Sequence, residues 1–398
     1  MISRRVLLYS HDTFGLGHLR RTRTIAQALV AADPQLAALI VTGSPVAGRF
    51  DFPPNVDHVR LPGVVKLSDG SYATHNLGTP IDDTVRLRSA ILSASDRAFL
   101  PDLIIVDKEA WGFRSELAET LAAARARGAQ IVLGLRDVLD APDVVQAEWE
   151  RKGHIEAIER FYDEIWVYGL PQICRPLDSV PLSPRWRHEG RIIYTGYLRR
   201  QVPARVRPSR AQREPYILVT AGGGGDGEIL IDWVLSAYES DPDLAPRAVL
   251  VYGPFLGHAH RAAFERRATA LGKRVQVLSF DSKLERWMKY AHGIVAMCGY
   301  NTFCEILSFD RPAIVAPRNV PREEQLIRAR AASGLGLIRL LDEKKTGRDP
   351  QIMADAIRNL PRQPLPSQNA LPGMLNGLDL IASRVSQALS WPLPKAGE

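Results

Sequence analysis

Cysteine is scarce in this chain: only Cys174, Cys298 and Cys304 occur among 398 residues. An odd number without Cys-x-x-Cys spacing excludes a disulfide framework and a cysteine zinc cluster, and leaves reduced, packed thiols as the expectation. Long apolar runs are missing too. Nothing approaches the ~18 residues that a membrane helix needs, and the stretch 6–9 is too short for a signal-peptide core, so a cytoplasmic protein is expected. There is no low-complexity tract and no short-period repeat. Aromatic residues make up 7% of the chain, with neither a stacked aromatic-basic motif nor a helix-turn-helix pattern, so nucleic acid is not an expected partner. Acidic residues fall short of basic ones, 44 against 51, for a net charge of +7. That surplus suits anionic partners: nucleotide diphosphates, acidic glycans or anionic lipid head groups.

What is present is a globular composition, 45% hydrophobic and 24% charged, in a chain longer than one core of ~250–300 residues accommodates. Short apolar runs at 6–9, 39–42, 103–106, 131–133 and 165–168 alternate with helix-like patterns at 22–32 and 116–127. A second series follows at 216–220, 248–252, 275–279, 294–297 and 313–316. Such alternation predicts parallel, doubly wound α/β sheets in two similar Rossmann-like halves. Between them, 197–214 is polar and carries Arg199, Arg200, Arg205, Arg207, Arg210 and Arg213 with Pro203 and Pro208. It reads as a solvated linker. The resulting division is 1–196, the linker, 215–374, and a closing segment 375–398 that begins with a helix over 375–389.

The richest stretch is IVAMCGYNTFCEILSFDRPAIVAPR at 294–318. It reads as a buried strand, a sharp turn at Gly299, a helix capped by Asn301 or Thr302, and a second buried strand. A helix so placed aims its free N–H groups at a ligand over the strand ends, as a diphosphate requires. Glu305, one turn on, shares a face with Asn301 and is suited to ribose hydroxyls. Upstream, a strand runs straight into AGGGGDG at 221–227. The run Gly222, Gly223, Gly224 and Gly225 is costly in chain entropy and points to close backbone approach to phosphate or sugar. No Gly-Lys-Ser/Thr follows it, which excludes a Walker loop.

The first strand leads into SHDTFGLGHLRR at 10–21. Gly15 and Gly17 permit close approach before a helix, but Arg20 stands where a dinucleotide fingerprint needs its third glycine. His11 and Asp12 lie at the end of that strand, and Asp107, Lys108 and Glu109 follow the strand at 103–106. These are the edges where open α/β sheets bind ligands, and any of these groups within reach of an acceptor hydroxyl is a candidate base. The one Asp-x-Asp pattern, at Asp241 and Asp243, lies in a polar segment and reads as a surface turn, so no metal site is expected.

The order glycine, small polar helix start, glutamate and PAIVAPR strand resembles the donor half of MurG-like GT-B glycosyltransferases, most strongly over 278–330. The resemblance implies two Rossmann-like domains facing an interdomain cleft, with the terminal helix crossing back onto the first. It implies that Asn301 and Thr302 hold a nucleotide-sugar diphosphate, Glu305 the ribose, the loops at Gly253 and Phe280 the base or diphosphate, and Glu324 with Gln325 the sugar hydroxyls. His18 matches the histidine ending the family's first glycine loop, although the doubled glycines of that loop are lacking. The expected activity is sugar transfer from a UDP-sugar, UDP-N-acetylglucosamine being the single best donor, to an unidentified acceptor. Inversion without metal or other cofactor is implied, as is a role in bacterial glycan or cell-envelope synthesis with peripheral contact to an anionic membrane. A nucleotide-sugar epimerase or hydrolase, or a non-catalytic nucleotide-sugar-binding regulator, would share the donor residues.

Overall fold

The computed structural model describes residues 2–11, 17–67, 71–202, 207–223, 226–253, 256–278 and 284–390. The chain divides into two compact units, one of Met1–Pro171, Arg175–Leu198 and Asn376–Glu398, the other of Gln172–Cys174 and Arg199–Leu375.

In the first unit the strands are β1 (Arg4–Ser10), β2 (Leu36–Thr42), β3 (Val56–Arg60), β4 (Val64–Lys66), β5 (Tyr72–Thr74), β6 (Leu103–Asp107), β7 (Gln130–Arg136), β8 (Glu164–Tyr168) and β9 (Ile192–Tyr194). All but β4 and β5, which form a small antiparallel pair, lie in one parallel sheet of order β3-β2-β1-β6-β7-β8-β9. The sheet grows outward from β1 to β3 and then restarts at β6 on the other side of β1. The gap between the carboxyl ends of β1 and β6 is therefore a topological switch point, where sheets of this type bind ligands. Val6, Leu7, Leu8 and Tyr9 are fully buried, as expected of a central parallel strand covered on both faces by helices. The core also buries an ion pair: Arg88 Nε and Nη2 donate to Glu116 at 2.5 and 2.7 Å, and Tyr9 Oη donates to the same carboxylate at 2.7 Å.

The helix Gly377–Ser390 belongs to this first unit. Its first residue donates to the Tyr197 carbonyl at 3.3 Å, and a Cβ there would lie 2.6 Å from the Gly196 carbonyl oxygen, so only glycine fits. Arg384 of this helix pairs with Glu164.

The second unit contains β10 (Tyr216–Thr220), β11 (Arg247–Val251), β12 (Val275–Leu278), β13 (Gly293–Ala296), β14 (Ala313–Val315) and β15 (Arg339–Leu340). Its parallel order is β12-β11-β10-β13-β14-β15. The switch point here lies between β10 and β13, so the loop opening at Ala221 and the turn at Cys298 leave the sheet side by side. Among the described residues, no helix is long and apolar enough to cross a membrane.

Candidate active site

In the second unit the reversal after β13 falls on Cys298, with φ +72°, and not on Gly299 as the sequence suggests. Gly299 is extended, with φ −58° and ψ 149°, and immediately precedes the helix Tyr300–Phe309. A buried side chain holds the left-handed turn in place: Arg328 Nη1 donates to the Cys298 carbonyl at 2.8 Å. Asn301 and Thr302 consequently sit within the first helical turn and do not cap it. Gly299 has no side chain to supply a cap, and a helix start of this kind is suited to an anion.

Two further groups converge on this turn. Gly222 has φ +67°, and a Cβ on it would come within 3.7 Å of Thr302 Oγ1, so the glycine loop runs past the helix start. Gly222 and Gly223 are described, whereas Gly224 and Gly225 lie outside the described residues. Arg200 is buried to 8% exposure. Its backbone N–H donates to Ser308 Oγ at 2.9 Å and its Nη2 to Asn301 Oδ1, which fixes a guanidinium at the positive end of the helix. Glu305 lies buried one turn beyond Asn301. Gly253 follows β11 closely, and Phe280 lies outside the described residues. Glu324 and Gln325 open the helix Glu324–Gly334 and are both buried. Arg318, just past β14, donates from Nη2 to Glu324 Oε1 at 2.8 Å and from its backbone N–H to Gln325 Oε1 at 3.2 Å.

In the first unit, Asp107 ends β6 and its carboxylate is buried. Arg21 donates from Nε and Nη2 to Oδ1 at 2.9 and 2.5 Å, while Oδ2 bonds Nδ1 of His18. Burial alone would raise the Asp107 carboxyl, but the charges of Arg21 and then His18 outweigh it and hold the group well below the usual carboxylate range. An ionised carboxylate can only accept hydrogen bonds, so it holds the His18 proton on Nδ1 and makes Nε2 the basic nitrogen. His18 and Gly17 lie in the first turn of the helix Gly17–Ala32. Asp12 and Gly15 lie outside the described residues.

His11 follows β1 and is buried, its ring edge-on to that of His18 at 5.8 Å between centroids. Burial pushes its imidazole well below the ordinary histidine value, with Glu109 opposing, so it stays neutral. Glu109 is engaged on several sides: Lys108 Nζ and Lys152 Nζ each approach it at 2.9 Å and His154 Nε2 at 3.1 Å. Of the groups at this sheet edge, His18 has the arrangement of a general base, oriented by Asp107, which is in turn held by Arg21.

Sequence reasoning did not single out Arg21, Arg200 or Arg318. Arg21 was within reach of it, because a residue three positions after His18 shares its helix face. Asp243 N–H donates to Asp241 Oδ1 at 3.0 Å and Asp241 also pairs with Arg358, a closed turn. Among the described residues, no group of three or more His, Cys, Asp or Glu could hold a metal ion.

No protein-family profile matches the chain. It is similar to a Methanosarcina acetivorans protein described as an uncharacterised glycosyltransferase, 24% identical over 212 residues that make up 51% of each chain. The chain thus spans about half the length of that curated relative. Among solved structures it resembles CalG4, the calicheamicin glycosyltransferase, with a TM-score of 0.61 at 15% identity over 99% of this chain and 100% of that one. MurG of Acinetobacter baumannii gives 0.57 at 12% identity, over 97% and 100%. A protein named as a UDP-N-acetylglucosamine 2-epimerase from Listeria monocytogenes gives 0.61 at 14%, over 98% and 96%. At such identities the likeness shows the fold, the paired Rossmann-like α/β domains of GT-B proteins, which is the fold class expected from the sequence.

Proposed function

We propose that the protein is a glycosyltransferase that moves a sugar from a nucleotide diphosphate donor to an acceptor hydroxyl. Transfer needs a base for the acceptor oxygen and an anion site for the departing nucleotide; His18 of the first unit and the Tyr300–Phe309 helix start of the second are the groups we assign to these roles. In this reading His18 Nε2 takes the acceptor proton while the acceptor oxygen bonds the anomeric carbon. The bond from that carbon to the phosphate oxygen breaks, and the nucleoside diphosphate leaves as an anion. The Tyr300–Phe309 helix start, the Gly222 loop and Arg200 stabilise the charge that develops on it. Glu305 holds the ribose, and Glu324 with Gln325 the sugar. A UDP-sugar such as UDP-N-acetylglucosamine is the proposed donor, transferred with inversion and without a metal cofactor. The acceptor is held by the first unit. The net charge of +7 suits an acceptor presented at an anionic membrane surface.

The observation that carries this reading is the Arg21–Asp107–His18 chain, which orients an imidazole as a general base for an acceptor hydroxyl. His18→Ala is expected to lower turnover ~10²-fold or more, the usual scale of a general base, with nucleoside diphosphate affinity unchanged. Nucleotide release from UDP-sugars with a panel of hydroxyl acceptors, alongside calorimetry with UDP, measures both. Undiminished transfer by a folded His18→Ala protein would remove the base from the mechanism.

A further inference from the structure

Asp226 sits at the far end of the glycine loop, one residue before Gly227 and the helix Glu228–Ser240. It pairs with Arg318 Nη1, while Nη2 of the same guanidinium holds Glu324. One cation therefore serves two carboxylates, one on the loop that passes Thr302 and one assigned to the donor sugar. Both carboxylates lie at the edge of the sheet that receives an anion in the proposed function. Uncompensated, each would repel a nucleoside diphosphate, which brings two or more negative charges of its own. Burial favours a neutral Arg318, but Glu324 and then Asp226 outweigh it and keep the group charged. The Arg318 backbone N–H also holds Gln325, so one residue sets the position of both side chains assigned to the sugar.

We infer that Arg318 is the charge-neutralising and positioning residue of the donor site: it cancels Asp226 and Glu324, ties the glycine loop to the β14 exit, and so permits a nucleoside diphosphate to bind beside two carboxylates. This rests on the donor-site reading above. A purely structural role would make Arg318 matter for folding and not for the charge of the ligand.

The test is calorimetry with UDP, dTDP and GDP at low and high salt on four proteins: wild type, Arg318→Gln, Arg318→Lys and the double variant Arg318→Gln/Asp226→Asn. Arg318→Gln is expected to bind the preferred nucleotide ~10-fold or more weakly at low salt, the scale on which an uncompensated like charge acts at an interface. The defect should shrink at high salt, because screening weakens the repulsion. Arg318→Lys keeps the charge and should retain most of the affinity, and Asp226→Asn should restore part of what Arg318→Gln loses. Wild type that binds while a folded Arg318→Gln binds equally well, or a defect that neither salt nor Asp226→Asn relieves, overturns this inference alone. Wild type that binds none of the three nucleotides overturns the donor-site reading and the inference with it.

Discussion

His11 illustrates how a single buried imidazole constrains the chemistry beside it. Its Nδ1 has no hydrogen-bond partner among the described residues, and its ring edge lies against His18. A protonated His11 would repel a proton arriving on His18, so a neutral His11 favours His18 as a base. The sign of the linked stability effect follows from the lowered value. The unfolded chain takes up a proton near pH 6.5 while the folded chain does not, so the unfolded state binds more protons below that pH and stability falls as the pH drops. His11→Asn should therefore lose less stability than wild type between pH 7.5 and 5.5 in paired denaturant titrations. Equal losses in the two proteins would mean that His11 titrates normally.

At the scale of elements, the strand ends do the positioning, and they also mark the limits of sequence reading. The central strands were legible because burial on both faces demands continuous apolar runs. β3, β9 and β15 were not, since they lie at or near sheet edges where polar and half-buried residues interrupt the run. The unit over 294–318 was legible as strand, turn, helix and strand, yet its left-handed residue is Cys298. That choice depends on Arg328, thirty residues further along the chain, which no local pattern reports. Arg200 was hidden for a different reason: among six linker arginines, only tertiary packing separates the one that reaches Asn301. The Arg88–Glu116 pair joins the helix Ile81–Phe99 to the segment that opens the next helix, with both side chains almost wholly buried. Arg88→Met should cost about 3–5 kcal/mol, because it strands a buried carboxylate, whereas Arg88→Met/Glu116→Leu should recover most of that loss. Chemical denaturation of both variants checks the pair, and a double variant no more stable than the single one would show that packing matters more than charge.

For the whole molecule, fold and chemistry separate. The same paired α/β architecture is found in CalG4, a glycosyltransferase, and in the Listeria monocytogenes protein named as an epimerase, so the fold alone does not select the reaction. What differs is the requirement for an acceptor. A transferase should hold its donor intact until an acceptor oxygen is presented, since His18 would have only water to activate. An epimerase or hydrolase consumes the nucleotide sugar unaided. Incubating wild type with UDP-N-acetylglucosamine and other UDP-sugars, without acceptor, is therefore expected to give little free sugar and no epimer by chromatography and NMR. EDTA should leave transfer largely intact once an acceptor is supplied, because in the proposed mechanism the helix start and Arg200 supply the positive charge for the leaving diphosphate. Rapid acceptor-free conversion that persists in His18→Ala would assign the donor residues to the epimerase or hydrolase reading and leave the Arg21–Asp107–His18 chain without a catalytic part.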